Sequence, residues 1–226
     1  LRKNVASGGN RLDVKPWVSM PLEGASWFLR PTLAYRYTAY QVDDELVRLA
    51  RVAKSPSRSV PIASVDAGLY FDRAANLGGK SYLQTLEPRV FYLYTPFRNQ
   101  GNFPVFDTSA LTFSWGQLFR DNRYSGADRQ ADANQLTLAL TTRLLRESDG
   151  RERLSASIGQ IRYFDDSRVV LPRELPIEQG RSAWVADASW MPSDRWSIGA
   201  SYQWNPKLRE KDLVSVRARY LLPKDG

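Results

Sequence analysis

Nine segments of this chain alternate between apolar and polar residues with a period of two. Successive side chains of a β-strand point to opposite sides, so this pattern indicates strands with one apolar and one polar face. Between residues 27 and 40 the odd positions are mostly apolar or aromatic, and the even positions include Arg30 and Arg36. The predicted strands cover residues 11–20, 27–40, 59–71, 81–95, 135–145, 151–164, 181–191, 195–204 and 212–222.

The length of these segments indicates the fold class. They have roughly 11 to 15 residues, whereas strands of soluble proteins usually have about 5 or 6 and strands that cross a tilted bilayer have about 9 to 11. The connections between them alternate between short and long, as in outer-membrane barrels. The sequence therefore predicts an all-β fold: an antiparallel up-and-down transmembrane β-barrel, of which about nine long strands are present as part of a larger barrel.

Aromatic residues near the ends of the predicted strands support a membrane location, because such residues form girdles at the two interfaces of a bilayer. A soluble β-sandwich would explain the alternation, but it would not explain the strand length, the unequal loops or the aromatic ends. The parity of one strand slips near Gly159 and Gln160, where we expect a β-bulge. The aromatic positions are Trp27, Tyr37, Tyr94, Trp184, Trp190, Trp196 and Trp204.

A long insertion, residues 96–133, separates two of the predicted strands and is far too long for a hairpin turn. Its central part is rich in arginine and punctuated by glycine, and two interpretations of it remain open. The charges could brace the loop inside the barrel, or they could form a docking surface. A pair of catalytic carboxylates is disfavoured, because neighbouring arginines lower carboxyl pKa values. The candidate residues are Phe119, Arg120, Asp121, Arg123, Tyr124, Asp128 and Arg129.

The chain is strongly basic, with a net charge of +8, and arginine supplies 25 of its 32 basic residues. Arginine binds phosphates and carboxylates through two parallel hydrogen bonds. We expect six of the arginines, which lie at polar positions of the alternation, to face the barrel lumen. There they either attract phosphates or are an ordinary polar lining. Glu87 and Arg89 share this parity and form a charge pair, with each other or with neighbouring strands. The lining residues are Arg30, Arg36, Arg143, Arg153, Arg217 and Arg219.

The absence of histidine and cysteine excludes several classes of function. The chain can form no disulfide, no cysteine- or histidine-based zinc site and no thiol nucleophile. We expect no enzyme activity, no catalytic residue, no metal and no cofactor. No lysine-rich tail or basic amphipathic helix is present, so we expect no nucleic-acid partner. Residues 1–10 have the character of a loop and residues 223–226 that of a turn, so we expect a piece of a longer polypeptide.

A series of short motifs follows a fixed order along the middle of the chain. The motifs are Thr85-Leu86-Glu87-Pro88-Arg89 with Tyr92, Tyr94 and Pro96, Leu118-Phe119-Arg120-Asp121, Arg123-Tyr124, Gly126, Asp128-Arg129, Ala133-Asn134-Gln135, Gly159-Gln160 and Tyr163-Phe164. No single motif is specific, but in their order and spacing over about residues 81–164 they resemble the LptD family of outer-membrane lipopolysaccharide-assembly proteins. Residues 194–197 extend the likeness weakly.

The resemblance implies that residues 1–226 are the central part of an outer-membrane β-barrel domain, with residues 96–133 as an extracellular or lumenal insertion. It implies location in the outer membrane of a Gram-negative cell and assembly of lipopolysaccharide into the outer leaflet. The expected partners are lipopolysaccharide, an LptE-like lipoprotein plug contacted by the insertion, and a periplasmic LptA-like bridge that acts through a domain absent from this sequence. A passive porin-like or ligand-uptake channel and a soluble polyanion-binding protein are the alternatives.

Overall fold

The computed structural model describes residues 8–205 and 213–222 of the chain. Nearly all of its regular structure belongs to one 13-stranded antiparallel sheet, together with a single short helix, α1, at Asp44–Ala50. The strands are β1 (Gly9–Val14), β2 (Trp17–Ser19), β3 (Leu22–Glu23), β4 (Trp27–Val42), β5 (Ser57–Leu69), β6 (Phe71–Leu77), β7 (Lys80–Thr95), β8 (Ala133–Arg146), β9 (Glu152–Tyr163), β10 (Gly180–Arg181), β11 (Trp184–Ser193), β12 (Trp196–Trp204) and β13 (Leu213–Tyr220).

The strands follow one another across the sheet in the order β1-β4-β5-β7-β8-β9-β11-β12-β13. The short strands β2 and β3 continue along the edge of β4 beyond β1, β6 continues β5 along β7, and β10 pairs with β9. Each main strand thus pairs with its neighbours in the chain, which confirms the predicted antiparallel up-and-down arrangement. Within the described residues the sheet is open, with β1 and β13 at its two edges. None of the helices found there is long and apolar enough to cross a membrane.

Three boundaries differ from the prediction. The first predicted strand, residues 11–20, is divided at Pro16, and a further short strand, β3, follows Pro21. Proline has no N–H to donate to the ladder. The connection between the predicted strands at residues 27–40 and 59–71 contains α1 and the start of β5. The predicted connection at residues 72–80 is mostly strand β6, and the chain turns only at Gly78 and Gly79, which have φ angles of 57° and 73°.

The predicted bulge at Gly159 and Gln160 is wrong, since these residues pair with Ala139 and Leu138 in an unbroken ladder. Gly159 brings no side chain to its face, and this gap in the alternation resembled a slip. The register of β8 and β9 shifts instead where Leu144 faces Leu154 and Leu145 faces Glu152, which leaves Arg153 as the extra residue.

The sheet has two different faces. The outer face exposes large apolar side chains along its length, including Leu33, Val65, Val90, Leu138, Ile158, Trp190 and Val216. The inner face carries the polar parity, and residues of several connections are buried against it. Four clusters of buried apolar side chains pack there, led by Ile62 with Phe91, Leu118 with Ile161, Tyr40 with Phe103, and Tyr124 with Val169.

The two rims of the sheet also differ. The short-turn rim consists of the turns at residues 24–26, 78–79, 147–151 and 194–195, and the long-loop rim carries residues 43–56, 96–132 and 164–179. This agrees with the predicted alternation of short and long connections. The predicted loop at residues 1–7, the predicted turn at residues 223–226 and the predicted first residue of the last strand, Asp212, lie outside the described residues.

Candidate functional site

The insertion that joins β7 to β8 spans residues 96–132 and folds over the inner face of the sheet. It contains little regular structure, namely a single 3-10 turn at Trp115–Gln117 and an isolated bridge between Ala110 and Tyr124. Even so, its segment from Ala127 to Asp132 is buried throughout. Its position therefore depends on side-chain contacts with the strands beneath it.

The carboxylate of Asp128 is the most heavily bonded group of the insertion, and its side chain is 0% exposed. Its Oδ1 accepts hydrogen bonds from Arg11 Nη1 at 2.7 Å and from the Tyr40 hydroxyl at 3.0 Å. Its Oδ2 accepts the backbone N–H groups of Phe106 at 2.7 Å and Asp107 at 3.0 Å. Burial alone would raise the pKa of Asp128, but these four hydrogen bonds outweigh it and lower the pKa to about 2.

Arg58 in β5 binds the backbone of the same segment. Its Nη1 donates to the carbonyl oxygen of Asp128 at 2.6 Å and to Gln100 Oε1 at 2.7 Å, and its Nη2 donates to the carbonyl oxygen of Ala127. The Arg58 side chain is buried and meets no carboxylate among these partners. Neutral oxygens of the insertion therefore accept the hydrogen bonds of both terminal nitrogens of Arg58, whereas its buried Nε has no partner among the described residues. Through these bonds the guanidinium holds the insertion against the sheet.

Arg36 in β4 forms the second strand anchor. Its Nε and Nη2 bind the two carboxylate oxygens of Asp13 in β1, both at 3.0 Å, which is the fork geometry that arginine forms with a carboxylate. Its Nη2 also donates to the Gly126 carbonyl oxygen at 3.3 Å, and its Nη1 donates to Gln130 Oε1 at 3.0 Å. Gln130 Nε2 in turn donates to the carbonyl oxygen of Asp121 at 2.8 Å. One guanidinium thus joins β1, β4 and the insertion.

Arg129 closes the loop on itself. Its Nη1 donates to the carbonyl oxygens of Pro104 at 3.1 Å and Asp128 at 2.9 Å, and its Nη2 donates to that of Phe103 at 3.1 Å. Burial of the guanidinium lowers the pKa of Arg129. Asn122 adds to this internal bracing, because its Nδ2 donates to the Arg129 carbonyl oxygen at 2.9 Å.

The 3-10 turn carries Leu118 and Phe119 onto the centre of the sheet. Leu118 is fully buried and lies against Gly159 in β9, and its carbonyl oxygen accepts a hydrogen bond from Thr137 Oγ1 at 2.7 Å. Phe119 packs against Phe91, and the guanidinium carbon of Arg89 lies 3.7 Å from the centre of the Phe119 ring. Such a cation–π contact adds to the attraction between the insertion and the strands.

A second long loop, residues 164–179, is fastened to the insertion. Asp132 accepts the backbone N–H groups of Val169 at 2.8 Å and Arg168 at 2.9 Å. Tyr124 places its hydroxyl 2.7 Å from Glu174 Oε2, and Arg123 Nη1 lies 2.7 Å from Glu174 Oε1. Burial, followed by the hydrogen bond to Glu174, raises the pKa of Tyr124. The two loops therefore form one connected cover.

Glu87 and Arg89 do not pair with each other. Arg89 binds both oxygens of Asp66 in β5, at 2.8 and 2.7 Å, and Glu87 Oε1 accepts a hydrogen bond from Arg143 Nε in β8 at 3.1 Å. Both contacts run diagonally between strands, within the reach of long side chains. Gly68 lies directly opposite Arg89, and the Phe28 ring occupies the space that a Cβ at position 68 would need.

The six residues of the predicted basic lining have different environments. Arg36 is buried under the insertion, Arg143 binds Glu87 and Glu152, and Arg30 binds Glu23 at 3.2 Å. Arg153 is misplaced in the prediction: as the extra residue at the shifted register of β9 it leaves the lumen-facing alternation, and it binds Asp194 at the short-turn rim. Arg217 and Arg219 are exposed on β13 and make no ion pair within residues 8–205 and 213–222.

Comparison with known proteins identifies the family. The family model described as "LptD: LPS transport system D" matches residues 2–225. The chain belongs to the LptD family. It is 61% identical over 236 residues to an LPS-assembly protein LptD of Xanthomonas oryzae pv. oryzae strain MAFF 311018, with 100% of the chain aligned. It is 54% identical over 220 residues to one of Xylella fastidiosa strain Temecula1, with 97% aligned.

The LptD resemblance of the motif series is therefore confirmed. The chain spans 29% of the length of the Xanthomonas oryzae relative and 28% of the Xylella relative. The motif residues of this LptD-family chain lie on the inner-face cover and on the strands below it, with Leu118 and Gly159 in direct contact.

The candidate cluster of the insertion contains no ion pair between its own members. Asp121 binds Lys15 beyond the end of β1, Asp128 binds Arg11, and Arg123 binds Glu174. The charges of this LptD segment brace the insertion against other elements. Arg120 is exposed at the surface, and its guanidinium forms no ion pair in the described part of the chain. No group of three or more acidic, histidine or cysteine side chains able to hold a metal ion lies there either.

Several residues of the site were not predicted from the sequence. Arg58 lies in the segment that was predicted as a connection, so its parity was not considered. Gln100 and Glu174 lie in irregular loops that show no periodic pattern. Arg11 lies on the polar parity of the first predicted strand, and this signal could have placed it on the inner face of the LptD-family sheet.

Proposed function

We propose that this chain is the central section of the outer-membrane barrel of a lipopolysaccharide-assembly protein, and that the insertion covers the interior of that barrel. The observation that carries the proposal is the contrast between the two faces of the sheet. Large apolar side chains are exposed along the outer face, and buried arginines on the inner face bind the backbone of the insertion. Membership of the LptD family supplies the cargo, lipopolysaccharide.

The exposed apolar side chains of the outer face are compatible with contact with the hydrocarbon of a lipid bilayer. Soluble monomeric proteins rarely expose contiguous apolar patches larger than a few hundred Å², whereas the outer face of a membrane barrel is an apolar band. Leu33 is 62% exposed and Val216 is 70% exposed on this face. The proposed location is the outer membrane of a Gram-negative cell, with the short-turn rim on the periplasmic side.

The cover distinguishes an assembly protein from a passive pore. A porin keeps a water-filled interior, but here the insertion buries the inner face of β4, β5, β8 and β9 under packed side chains. We propose that its exposed polar surface, which includes Arg120, faces a lipoprotein plug of the LptE kind. Connection to a periplasmic LptA-like bridge would be made by a domain outside this sequence, and the chain itself would catalyse no reaction.

The test uses the full-length protein in its natural cell. Depletion is expected to leave newly made lipopolysaccharide in the inner membrane, and Asp128→Asn in the only copy is expected to reduce its surface display. Arg120→Glu is expected to weaken copurification of the plug lipoprotein, and Arg48→Glu, on the exposed helix α1, serves as the matched control. Unchanged surface display after depletion would refute the proposal. Steady ion conductance of the plug-free protein in planar bilayers would favour a passive channel.

A further inference from the structure

A hollow of about 360 Å³ lies at the short-turn rim, at the opposite end of the strands from the insertion. The proposed cover and its plug do not involve this hollow. Basic, aromatic and acidic side chains line it together. They include Lys80, Tyr82, Arg146, Arg153, Trp190 and Asp194.

The hollow adjoins the outer face of the sheet. Tyr82 in β7 lies directly opposite Arg146 in β8, on the parity of the outer-face residues Val90 and Leu138. Trp190 in β11 lies opposite Leu154 on the same parity and is 52% exposed. A molecule seated in the hollow would therefore continue onto the apolar outer face.

The basic side chains of the hollow outnumber the carboxylates that neutralise them. Asp194 Oδ1 accepts Arg153 and lies 3.3 Å from Arg151 Nη1 and 3.6 Å from Arg146 Nη2. Arg146 also binds Asp149, through Nε at 2.8 Å. These arginines lower the pKa values of both aspartates, so the carboxylates stay charged at neutral pH.

Lys80 adds a further positive charge and makes no ion pair within the part of the chain that the structure describes. The hollow itself is lined by three basic side chains and one acidic side chain. Lys80 together with residues 146–153 and 194–195 gives five basic against four acidic side chains, a surplus of one positive charge. Arg153, at the shifted register, is the third arginine close to Asp194. The five are Lys80, Arg146, Arg151, Arg153 and Arg195, and the four are Glu147, Asp149, Glu152 and Asp194.

We propose that this hollow binds the phosphate-bearing headgroup of a phospholipid in the leaflet at the short-turn side. The inference rests on the membrane location given under the proposed function. Guanidinium and ammonium groups bind phosphate oxygens, and tryptophan and tyrosine are enriched at the headgroup level of membranes. The acyl chains would lie along the outer-face positions of Leu144, Leu154 and Ile198. A free phosphate ion would satisfy the positive charge but would make no use of this apolar surface.

The experiment measures phosphatidylglycerol binding to the purified full-length protein with its plug partner, by native mass spectrometry across a lipid titration. Lys80→Gln is expected to weaken binding about fivefold, since one basic residue near an anionic headgroup contributes on that order. Lys80→Glu is expected to weaken it further. Because Lys80 is exposed and forms no ion pair with the described residues, neither change breaks a salt bridge among them. Arg48→Gln removes an exposed basic residue at the long-loop rim and is expected to leave binding unchanged.

Three results would overturn the proposal. The first is equal phosphatidylglycerol affinity in the Lys80 variants and the Arg48 control. The second is displacement of the lipid by inorganic phosphate, which would mark an ion site. The third is preferential displacement by lipopolysaccharide, which would mark a cargo site. Surface display of lipopolysaccharide is expected to survive Lys80→Gln, so a failure of the lipid site and a failure of the proposed function give different results.

Discussion

Leu118 of the insertion lies against Gly159 of β9, in a space that any side chain at position 159 would fill. A Cβ atom there would lie 2.7 Å from Leu118 Cδ1 and 3.2 Å from both Trp115 Cζ3 and the Leu138 carbonyl oxygen. The missing side chain therefore lets the insertion approach the strand closely. Leu118 is 0% exposed, so this contact is among the most buried points of the cover.

Gly159→Ala is expected to lift the 3-10 turn from the sheet and to destabilise the docked insertion by about 1 to 3 kcal/mol, the usual cost of overpacking. Limited proteolysis of the full-length protein near Arg120 measures the change. Gly199→Ala is the matched control, because a Cβ at that position meets only the Ala188 carbonyl oxygen, at 3.9 Å. Equal cleavage of the two variants would contradict the close approach.

Asp128→Asn is expected to release the segment from Ala127 to Asp132, because an uncharged amide leaves Arg11 without its buried partner. Arg11 keeps its contacts with Asp107, so the cost is that of a lost hydrogen bond to a charged group, about 1.5 to 3 kcal/mol. Hydrogen exchange of residues 96–132 in the full-length protein measures the loss. Asp107→Asn is the control: it binds the same arginine at 2.7 Å but is 55% exposed, so it is expected to cost under about 1 kcal/mol. A larger effect at position 107 would refute this ranking.

The docked insertion is expected to tolerate mild acid. The folded-state pKa of Asp128 is about 2, below its ordinary value of 3.8. A lowered carboxyl pKa stabilises the docked state above the ordinary value, and this stabilisation is lost as the pH falls through the folded-state pKa. Cleavage of the insertion by pepsin is expected to rise between about pH 4 and pH 2. In Asp128→Asn this rise is expected to disappear, and its persistence would assign the transition to other groups.

Tyr124→Phe is expected to loosen the second loop while leaving the first in place. The change removes one hydroxyl, which lies 2.7 Å from Glu174 Oε2 and 2.9 Å from the Val169 carbonyl oxygen. A hydrogen bond to a charged group contributes about 1.5 to 3 kcal/mol. Faster hydrogen exchange in residues 164–179 measures the effect. Tyr94→Phe, on the exposed outer face, is the control. Equal exchange in both variants would show that the Tyr124 hydroxyl does not hold the second loop in place.

The strands were predictable because each has an apolar outer face along most of its length. The alternation in residues 81–95 and 135–145 places Leu86, Val90 and Leu138 on one side, and β7 and β8 follow it. The same reasoning failed where the pattern is interrupted. Pro16 and Pro21 divide the edge strand, and the alanines and asparagine of β6 give too weak an apolar signal to show that the strand continues.

The position of the candidate site in the chain could largely be predicted from the sequence, but few of its side-chain contacts could be predicted. The insertion and its charged residues were visible as a polar segment between two strands. The partners were not, because Arg11 and Asp128 lie 117 positions apart and periodicity reports only which face a residue occupies. For the same reason the sequence left open whether Glu87 and Arg89 pair with each other or with neighbouring strands, and the structure shows diagonal contacts with Arg143 and Asp66.

The contacts of the insertion also constrain the order in which the protein folds. Asp128 needs Arg11 from β1, which precedes it in the chain, whereas Leu118 needs Gly159 from β9, which follows it. Contacts so distant in sequence form late, because the intervening chain must first be ordered. The insertion can therefore dock only after the strands before it and the strands after it have paired into the sheet. A docked insertion thus indicates that this part of the sheet, from β1 to β9, has formed.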